Sequence, residues 1–159
     1  MPSRTVLMFL AAAVAAVVAA LATLDPFGAK AGGQVLQPGE AKVVAQGGSI
    51  YQTHCAACHG ARLEGQPNWR ERDAKGLLPA PPHDASGHTW HHPDEVLVRI
   101  TKLGVAKAAN LKDYNSAMPA YEGVLSDQEI VAVLSWIKAQ WPPPIRDKHD
   151  QINAQAARP

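Results

Sequence analysis

The sequence has few sulfur-containing residues. It contains only two cysteines, Cys55 and Cys58, and three methionines. A second pair of ligands at zinc-finger spacing is missing, which argues against a zinc finger. The chain also has no convincing strand pattern and no internal repeat. A thiol redox pair beside a βαβ unit is therefore disfavoured, and so is a repeat architecture.

The net charge of the chain is also small. The whole chain carries 15 Lys and Arg against 14 Asp and Glu. Beyond residue 31 the two counts are equal at 13, because Arg4, Lys30 and Asp25 lie before that point. A formally neutral body gives no basic surface of the kind that binds nucleic acid, so no nucleic-acid partner is predicted.

The N-terminus carries a long uncharged run, which extends over nineteen residues from Val6 to Leu24. A helix of that length rises about 28 Å, close to the roughly 30 Å of a bilayer's hydrocarbon core. Ala29-Lys30-Ala31 is a possible cleavage site, so a cleaved signal peptide is the alternative to a retained anchor. In either case the rest of the chain is exported, and Arg4 favours a cytoplasmic N-terminus.

Composition divides the chain into four parts. Residues 1–24 are predicted to be a signal-anchor or signal peptide. Residues 25–39, rich in Gly, Ala and Pro, are predicted to be a flexible linker. Residues 40–141 form the predicted folded domain, and residues 142–159 a polar, poorly ordered C-terminal tail.

Two helices are predicted in the first two thirds of the domain. Residues 40–54 favour a helix, although Gly47 and Gly48 interrupt it at a cost of about 1 kcal/mol each. A short amphipathic helix is predicted to begin at Pro93, which is tolerated as a first helical residue, and to end before Gly104.

A third helix is predicted near the end of the domain. Ser126-Asp127-Gln128-Glu129 is a capping box followed by an apolar stripe of helical period, and the helix must stop before Pro142. Residues 60–93 and 105–121 are predicted to be irregular. The domain is therefore expected to be all-α.

The most specific motif is Cys55-Ala56-Ala57-Cys58-His59, because C-x-x-C-H is the pattern for covalent haem attachment. The two thiols can add to the two vinyl groups of a haem, and the adjacent imidazole then comes beneath the iron as an axial ligand. Free thiols outside the cytoplasm would be oxidised, so export favours occupied cysteines. One covalently attached haem c is predicted.

A second axial ligand can be sought among the methionines. Met1 and Met8 lie in the leader, which leaves Met118 as the one thioether in the domain. A methionine is often only a flexible filler of the core. With a haem present and no other methionine in the domain, Met118 is predicted to bind the iron.

These residues resemble those of class I c-type cytochromes of the monohaem, membrane-anchored or periplasmic bacterial type, over about residues 40–141. The resemblance covers the motif together with Gly47, Tyr51, Met118-Pro119 and Trp136. It implies that the first and last helices of the domain cross at Gly47 with the two aromatic residues packed around it. It also implies that a proline carbonyl within residues 79–82 accepts a hydrogen bond from His59, with Pro81 or Pro82 as the candidate.

Histidine and methionine together would saturate the iron and leave no position for substrate, so an electron carrier is predicted rather than an enzyme. We expect a quinol-oxidising complex or a dehydrogenase as donor and a terminal oxidase or reductase as acceptor. The expected location is the bacterial inner membrane, single-pass with a periplasmic C-terminal domain, or the soluble periplasm after signal cleavage. A tether would raise the effective concentration near membrane partners.

Two other functions remain open at this point. In a haem enzyme or gas sensor, Met118 would be labile. In a metal-delivery protein, the crowded histidines would carry copper; these are His83, His88, His91 and His92. One of these histidines could instead replace Met118 on the iron. The simpler interpretation is that they lie on an exposed loop and a helix start.

Overall fold

The computed structural model describes residues 35–158, so the predicted anchor over residues 1–24 lies outside the described part. The helices are α1 (Ala41–His54), α2 (Ala56–His59), α3 (Asp94–Leu103), α4 (Val105–Ala108), α5 (Asp127–Ala139) and α6 (Pro143–Ala156), with a 3₁₀ turn at Thr89–His91. Residues 35–158 contain no strand, which confirms the all-α prediction. Within the same residues no helix is long and apolar enough to cross a membrane.

Helices α1 and α5 form the main packed pair, and they meet at Gly47. A Cβ atom on Gly47 would collide with the carbonyl group of Ala132 and lie 2.9 Å from Cβ of Trp136. Only glycine permits so close an approach of the two backbones. The helix continues through Gly47 and Gly48 because this packing offsets the low helical propensity of glycine.

Aromatic side chains fill the crossing on both sides of Gly47. The rings of Tyr51 and Trp136 lie 4.6 Å apart between centroids, and Tyr51 is 0% exposed. Ile130 and Val133 of α5 are buried in the same core. The helix crossing that the resemblance implied is therefore present.

Helices α3 and α5 begin close to where the sequence places them. Ser126 is the N-cap of α5, and the capping box with Glu129 is complete, because each residue's side chain bonds the other's backbone amide. Pro93 is the N-cap of α3 rather than its first helical residue. The predicted irregular stretch 105–121 contains one further helical turn, α4.

The prediction of a flexible linker over residues 25–39 is wrong for its C-terminal end. Leu36 is buried in the core, and its amide donates a 2.9 Å hydrogen bond to the Asp94 carboxylate. The amide of Gln37 bonds Ser135 Oγ at 2.9 Å. The folded part therefore includes residues 36 and 37, because an apolar side chain and two anchored amides hold them against α3 and α5.

The predicted disorder of the C-terminal tail is also wrong. Residues Pro143–Ala156 form helix α6, which begins directly after the N-cap Pro142. His149, which lies in the predicted tail, is 0% exposed. Its ring packs edge-on against Trp141 at 5.0 Å, and Asn153 bonds the backbone and carboxylate of Asp94. Polar and aromatic contacts hold this helix, together with Ile145, which packs against the hydrophobic core.

Candidate functional site

The two cysteines and His59 lie within a little more than one helical turn. Cys55 is the N-cap of α2, and the amide of His59 donates to the Cys55 carbonyl at 2.9 Å. Cys55 is half-buried and Cys58 is exposed, and both thiols are free. The short helix therefore places two unpaired thiols beside one buried imidazole.

Two tyrosine hydroxyls fix the two ends of this segment. Tyr51 donates to the carbonyl of Gly60 at 2.8 Å, just after the motif. Tyr121 donates to the carbonyl of His54 at 2.7 Å, just before it. Since Tyr51 belongs to the helix crossing, the motif is tied directly to the core of the domain.

The imidazole of His59 is oriented by the chain 22 residues further on. Its Nδ1 donates to the carbonyl oxygen of Pro81 at 2.8 Å. The structure thus selects Pro81 from the prolines between residues 79 and 82. Because Nδ1 is committed to this bond, Nε2 is the nitrogen that remains to bind a metal.

The loop that carries Pro81 is held by backbone bonds to the loop that follows His59. Gly65 donates to the His59 carbonyl at 2.8 Å, and His83 donates to the Leu63 carbonyl at 2.8 Å. Leu63 and Gly65 both have positive φ, 70° and 68°. A side chain on Gly65 would collide with the Pro81–Pro82 peptide. This left-handed turn is what brings the Pro81 carbonyl close to His59.

Burial changes the proton affinity of the site residues. Burial lowers the pKa of His59, while the hydrogen bond to Pro81 opposes that shift. Burial, with a further contribution from Cys58, raises the pKa of the Cys55 thiol to about 11. The imidazole is therefore favoured in its neutral form, which is the form that ligates a metal.

His83 lies face-on against His59, with ring centroids 3.9 Å apart and planes 23° from parallel. Its Nδ1 is 2.8 Å from the hydroxyl of Thr89, and its carbonyl accepts the indole N–H of Trp141 at 2.7 Å. Burial, followed by repulsion from His59 and His88, lowers the pKa of His83 well below its usual value. Sequence reasoning placed His83 on an exposed loop and missed this contact.

Met118 lies in the irregular segment between α4 and α5. It is half-buried and packs against the same hydrophobic cluster as Cys55. Its amide is held by Ser116 Oγ at 3.1 Å, and it lines a cavity of about 340 Å³ together with Tyr114 and Ala120. The segment thus places Met118, the one methionine of the domain, against the same core that supports the C-x-x-C-H motif.

Of the other crowded histidines, His88 and His91 stack on different indoles, and the ring of His92 lies edge-on to that of His88 at 5.5 Å. The ring of His88 stacks on Trp69 at 5.3 Å, and that of His91 stacks on Trp90 at 3.6 Å. Over residues 35–158 there is no group of three or more His, Cys, Asp or Glu side chains arranged to hold a metal ion. The indole N–H of Trp90 donates to the carbonyl of Ala85 at 3.3 Å.

Sequence reasoning missed two residues that shape the site, Tyr121 and Trp141. Their hydroxyl and indole N–H groups bond backbone carbonyls 67 and 58 residues away. No local pattern indicates such a bond, because its partner is a backbone atom that every residue has. The one available signal is that each is a large aromatic residue beside a turn, where its polar tip needs an acceptor.

The residues present fit covalent haem. Two free thiols separated by two residues can form the two thioether bonds, and His59 has one nitrogen fixed and one available. A buried imidazole that is oriented by a backbone carbonyl is the usual arrangement of a histidine ligand to a metal.

A comparison with protein-family models agrees with this geometry. A model described as Cytochrome c matches residues 44–141, a range that spans the helix crossing, the cysteines and Met118. No curated protein matches the chain. No solved structure matches it.

Proposed function

The chain belongs to the cytochrome c family, whose members transfer electrons through covalently bound haem c, and on that premise we propose that it is a single-haem electron carrier with His59 and Met118 as axial ligands. Cys55 and Cys58, which have the required spacing, are the proposed attachment points. When bound, haem c supplies one iron that alternates between the ferrous and ferric states.

The observation that carries the proposal is the hydrogen bond from His59 Nδ1 to the Pro81 carbonyl. It fixes the tautomer and restricts the direction of the remaining nitrogen. His59 is 7% exposed, so the residue as a whole is shielded from water. A preoriented, shielded ligand suits electron transfer, because little rearranges when the charge of the iron changes.

The partial burial of Met118 supports it as the second residue that would hold the iron. The side chain is half-buried against the core cluster, and Pro119 follows it, which restricts the backbone at this point. A thioether ligand favours the ferrous state and raises the reduction potential. With both axial positions filled by the protein, no site for substrate remains.

The contact between His83 and His59 argues against His83 as the sixth ligand. The ring of His83 lies directly on that of His59 at 3.9 Å, and its Nδ1 lies 2.8 Å from the Thr89 hydroxyl, so His83 would be a packing neighbour of His59 and not a second ligand. His88 and His91 pack on the indoles of Trp69 and Trp90 instead. Met118 is accordingly the proposed ligand.

We further propose that the carrier works at the periplasmic face of a bacterial inner membrane, held there by residues 1–24. Its donor would be a quinol-oxidising complex or a dehydrogenase, and its acceptor a terminal oxidase or reductase. The uncharged run in the sequence supports the tether. Attachment to the membrane would let weak docking suffice for rapid exchange.

Spectra of the purified holoprotein test the proposal. We expect the oxidised form to show the weak far-red charge-transfer band of methionine sulfur on ferric haem, and Met118→Ala to lose it. Carbon monoxide added to the reduced wild type should leave its spectrum unchanged. A wild type without the band, or one that binds carbon monoxide rapidly and completely, would overturn the carrier assignment.

A further inference from the structure

We propose that His83 is a positioning residue for His59: its ring holds the plane of the ligand imidazole and thereby contributes to the reduction potential. This inference rests on the proposed function, since it treats His59 as the iron ligand. The observation behind it is the face-on contact of the two rings, 3.9 Å between centroids and 23° from parallel.

The Pro81 bond restrains the ring of His59 only in part. The ring can rotate about its Cβ–Cγ bond, and a single N–H···O bond opposes small rotations weakly, because it loses strength steeply only when it is far from linear. A flat group against the face of the ring opposes that rotation. His83 supplies such a group, so the two contacts together determine both the direction and the plane of the imidazole.

His83 can act in this way because it is itself held at three points. Its amide donates to the Leu63 carbonyl at 2.8 Å, and its carbonyl accepts the Trp141 indole N–H at 2.7 Å. Its ring is tethered through Nδ1 to the hydroxyl of Thr89, a buried residue, at 2.8 Å. Neither the backbone nor the side chain of His83 is free to follow His59.

The plane of His59 influences the iron through the Pro81 bond. If the ring turns, the N–H···O bond becomes less linear and weaker. That bond raises the basicity of the ligand, and a more basic ligand stabilises ferric iron. Loss of the His83 ring should therefore favour reduction.

The test compares holoprotein variants by two readouts. The haem methyl resonances of the oxidised protein depend on the orientation of the axial imidazole, and a redox titration gives the potential. For His83→Leu, which has no flat ring, we expect an altered methyl pattern and a roughly tenfold larger equilibrium constant for reduction, which is about 59 mV for one electron. His83→Phe keeps a flat ring but loses the Nδ1 contact with Thr89, so its methyl pattern should change much less than that of His83→Leu.

His91→Leu is the matched control, because the same change is made in a histidine that stacks on Trp90 instead of His59. Its methyl pattern and potential should equal those of wild type. A wild-type methyl pattern in His83→Leu would overturn the inference, whatever the stability of the variant.

A further variant covers the case in which His83→Leu does not retain haem. Thr89→Val keeps the His83 ring but removes the hydroxyl that tethers it, so we expect a smaller change in the same direction. An unchanged methyl pattern in Thr89→Val would then refute the inference. If the wild type shows no reversible one-electron couple, the carrier function fails, while the methyl pattern still tests the role of His83.

Discussion

His59 Nδ1 donates a 2.8 Å hydrogen bond to the Pro81 carbonyl, and a third residue, Gly65, allows the Pro81 loop to approach closely enough for this bond. Gly65 has φ +68° and lies so close to the Pro81–Pro82 peptide that any Cβ would collide with it. The acceptor is a backbone atom, which a side-chain substitution cannot remove. Displacement of the loop is therefore the way to test its importance.

Replacement of Gly65 by Ala should destabilise the protein and weaken haem ligation. Gly76→Ala is the matched control, because its φ of +76° imposes the same backbone strain but a Cβ there meets nothing within 4 Å. We expect Gly76→Ala to lose about 1 kcal/mol of unfolding free energy in urea, and Gly65→Ala at least about 2 kcal/mol more. Equal losses would show that the Pro81 loop shifts freely.

The helix crossing predicts a similar sensitivity at Gly47. Alanine would gain about 1 kcal/mol of helix propensity, but its methyl group would force the Ala132 backbone away. We expect a net loss of at least about 2 kcal/mol in Gly47→Ala, measured by urea unfolding. Gly39→Ala, where a Cβ meets nothing within 4 Å, should be nearly neutral. A stable Gly47→Ala protein would contradict the close crossing.

Removal of the Tyr121 hydroxyl should loosen the haem-binding segment locally. Tyr121→Phe removes the donor to the His54 carbonyl and should cost about 1 kcal/mol of unfolding free energy. Hydrogen exchange should also become faster at the start of α2. Tyr114→Phe is the control, because the contact of that ring with the Arg72 guanidinium, 5.5 Å away, does not use the hydroxyl. Unchanged exchange in Tyr121→Phe would mean that the bond does not restrain the motif.

Much of this fold follows from patterns in the sequence. Helices α1, α3 and α5 have apolar residues at helical spacing, and the capping box at Ser126 marks the start of the last of these. The C-x-x-C-H spacing indicates the site because its chemistry depends on residues adjacent in sequence. The sequence places the acceptor for His59 among the prolines of residues 79–82 but does not identify it as Pro81, because that depends on how the loop at Gly65 packs.

Helix α6 shows why the remainder could not be predicted. Apart from Ile145, which packs on the core, its main contacts with the domain are made by His149, Asn153 and Asp150, polar residues typical of a solvated tail. An apolar stripe in the sequence indicates a buried helix face. Polar residues indicate one only when the groups to which they bond are known. Asp94 is the partner for two of these residues, and no local sequence pattern connects it with residues so far along the chain.

The environment of His149 makes the docking of α6 dependent on pH. Its Nε2–H donates to the His92 carbonyl at 3.0 Å and lies 3.5 Å from the Asp94 carboxylate, while its Nδ1 is buried without a hydrogen-bond partner among residues 35–158. Burial and the charge of Lys138 lower the pKa of His149, although Asp94 and Asp150 oppose this. A proton on Nδ1 would be a buried charge with no acceptor.

The unfolding free energy should therefore fall as the pH is lowered through the ordinary histidine pKa of 6.5, because the unfolded chain then binds a proton that folded His149 excludes. The unfolding free energy stops falling once the pH is below the pKa of His149 in the folded protein. Urea unfolding at several pH values between 7 and 5 should give a smaller pH slope for His149→Phe, by up to about 1.4 kcal/mol per pH unit. Gln151→Ala, an exposed change on the same helix, should keep the wild-type slope. Equal slopes in His149→Phe and wild type would mean that this buried imidazole does not control the stability.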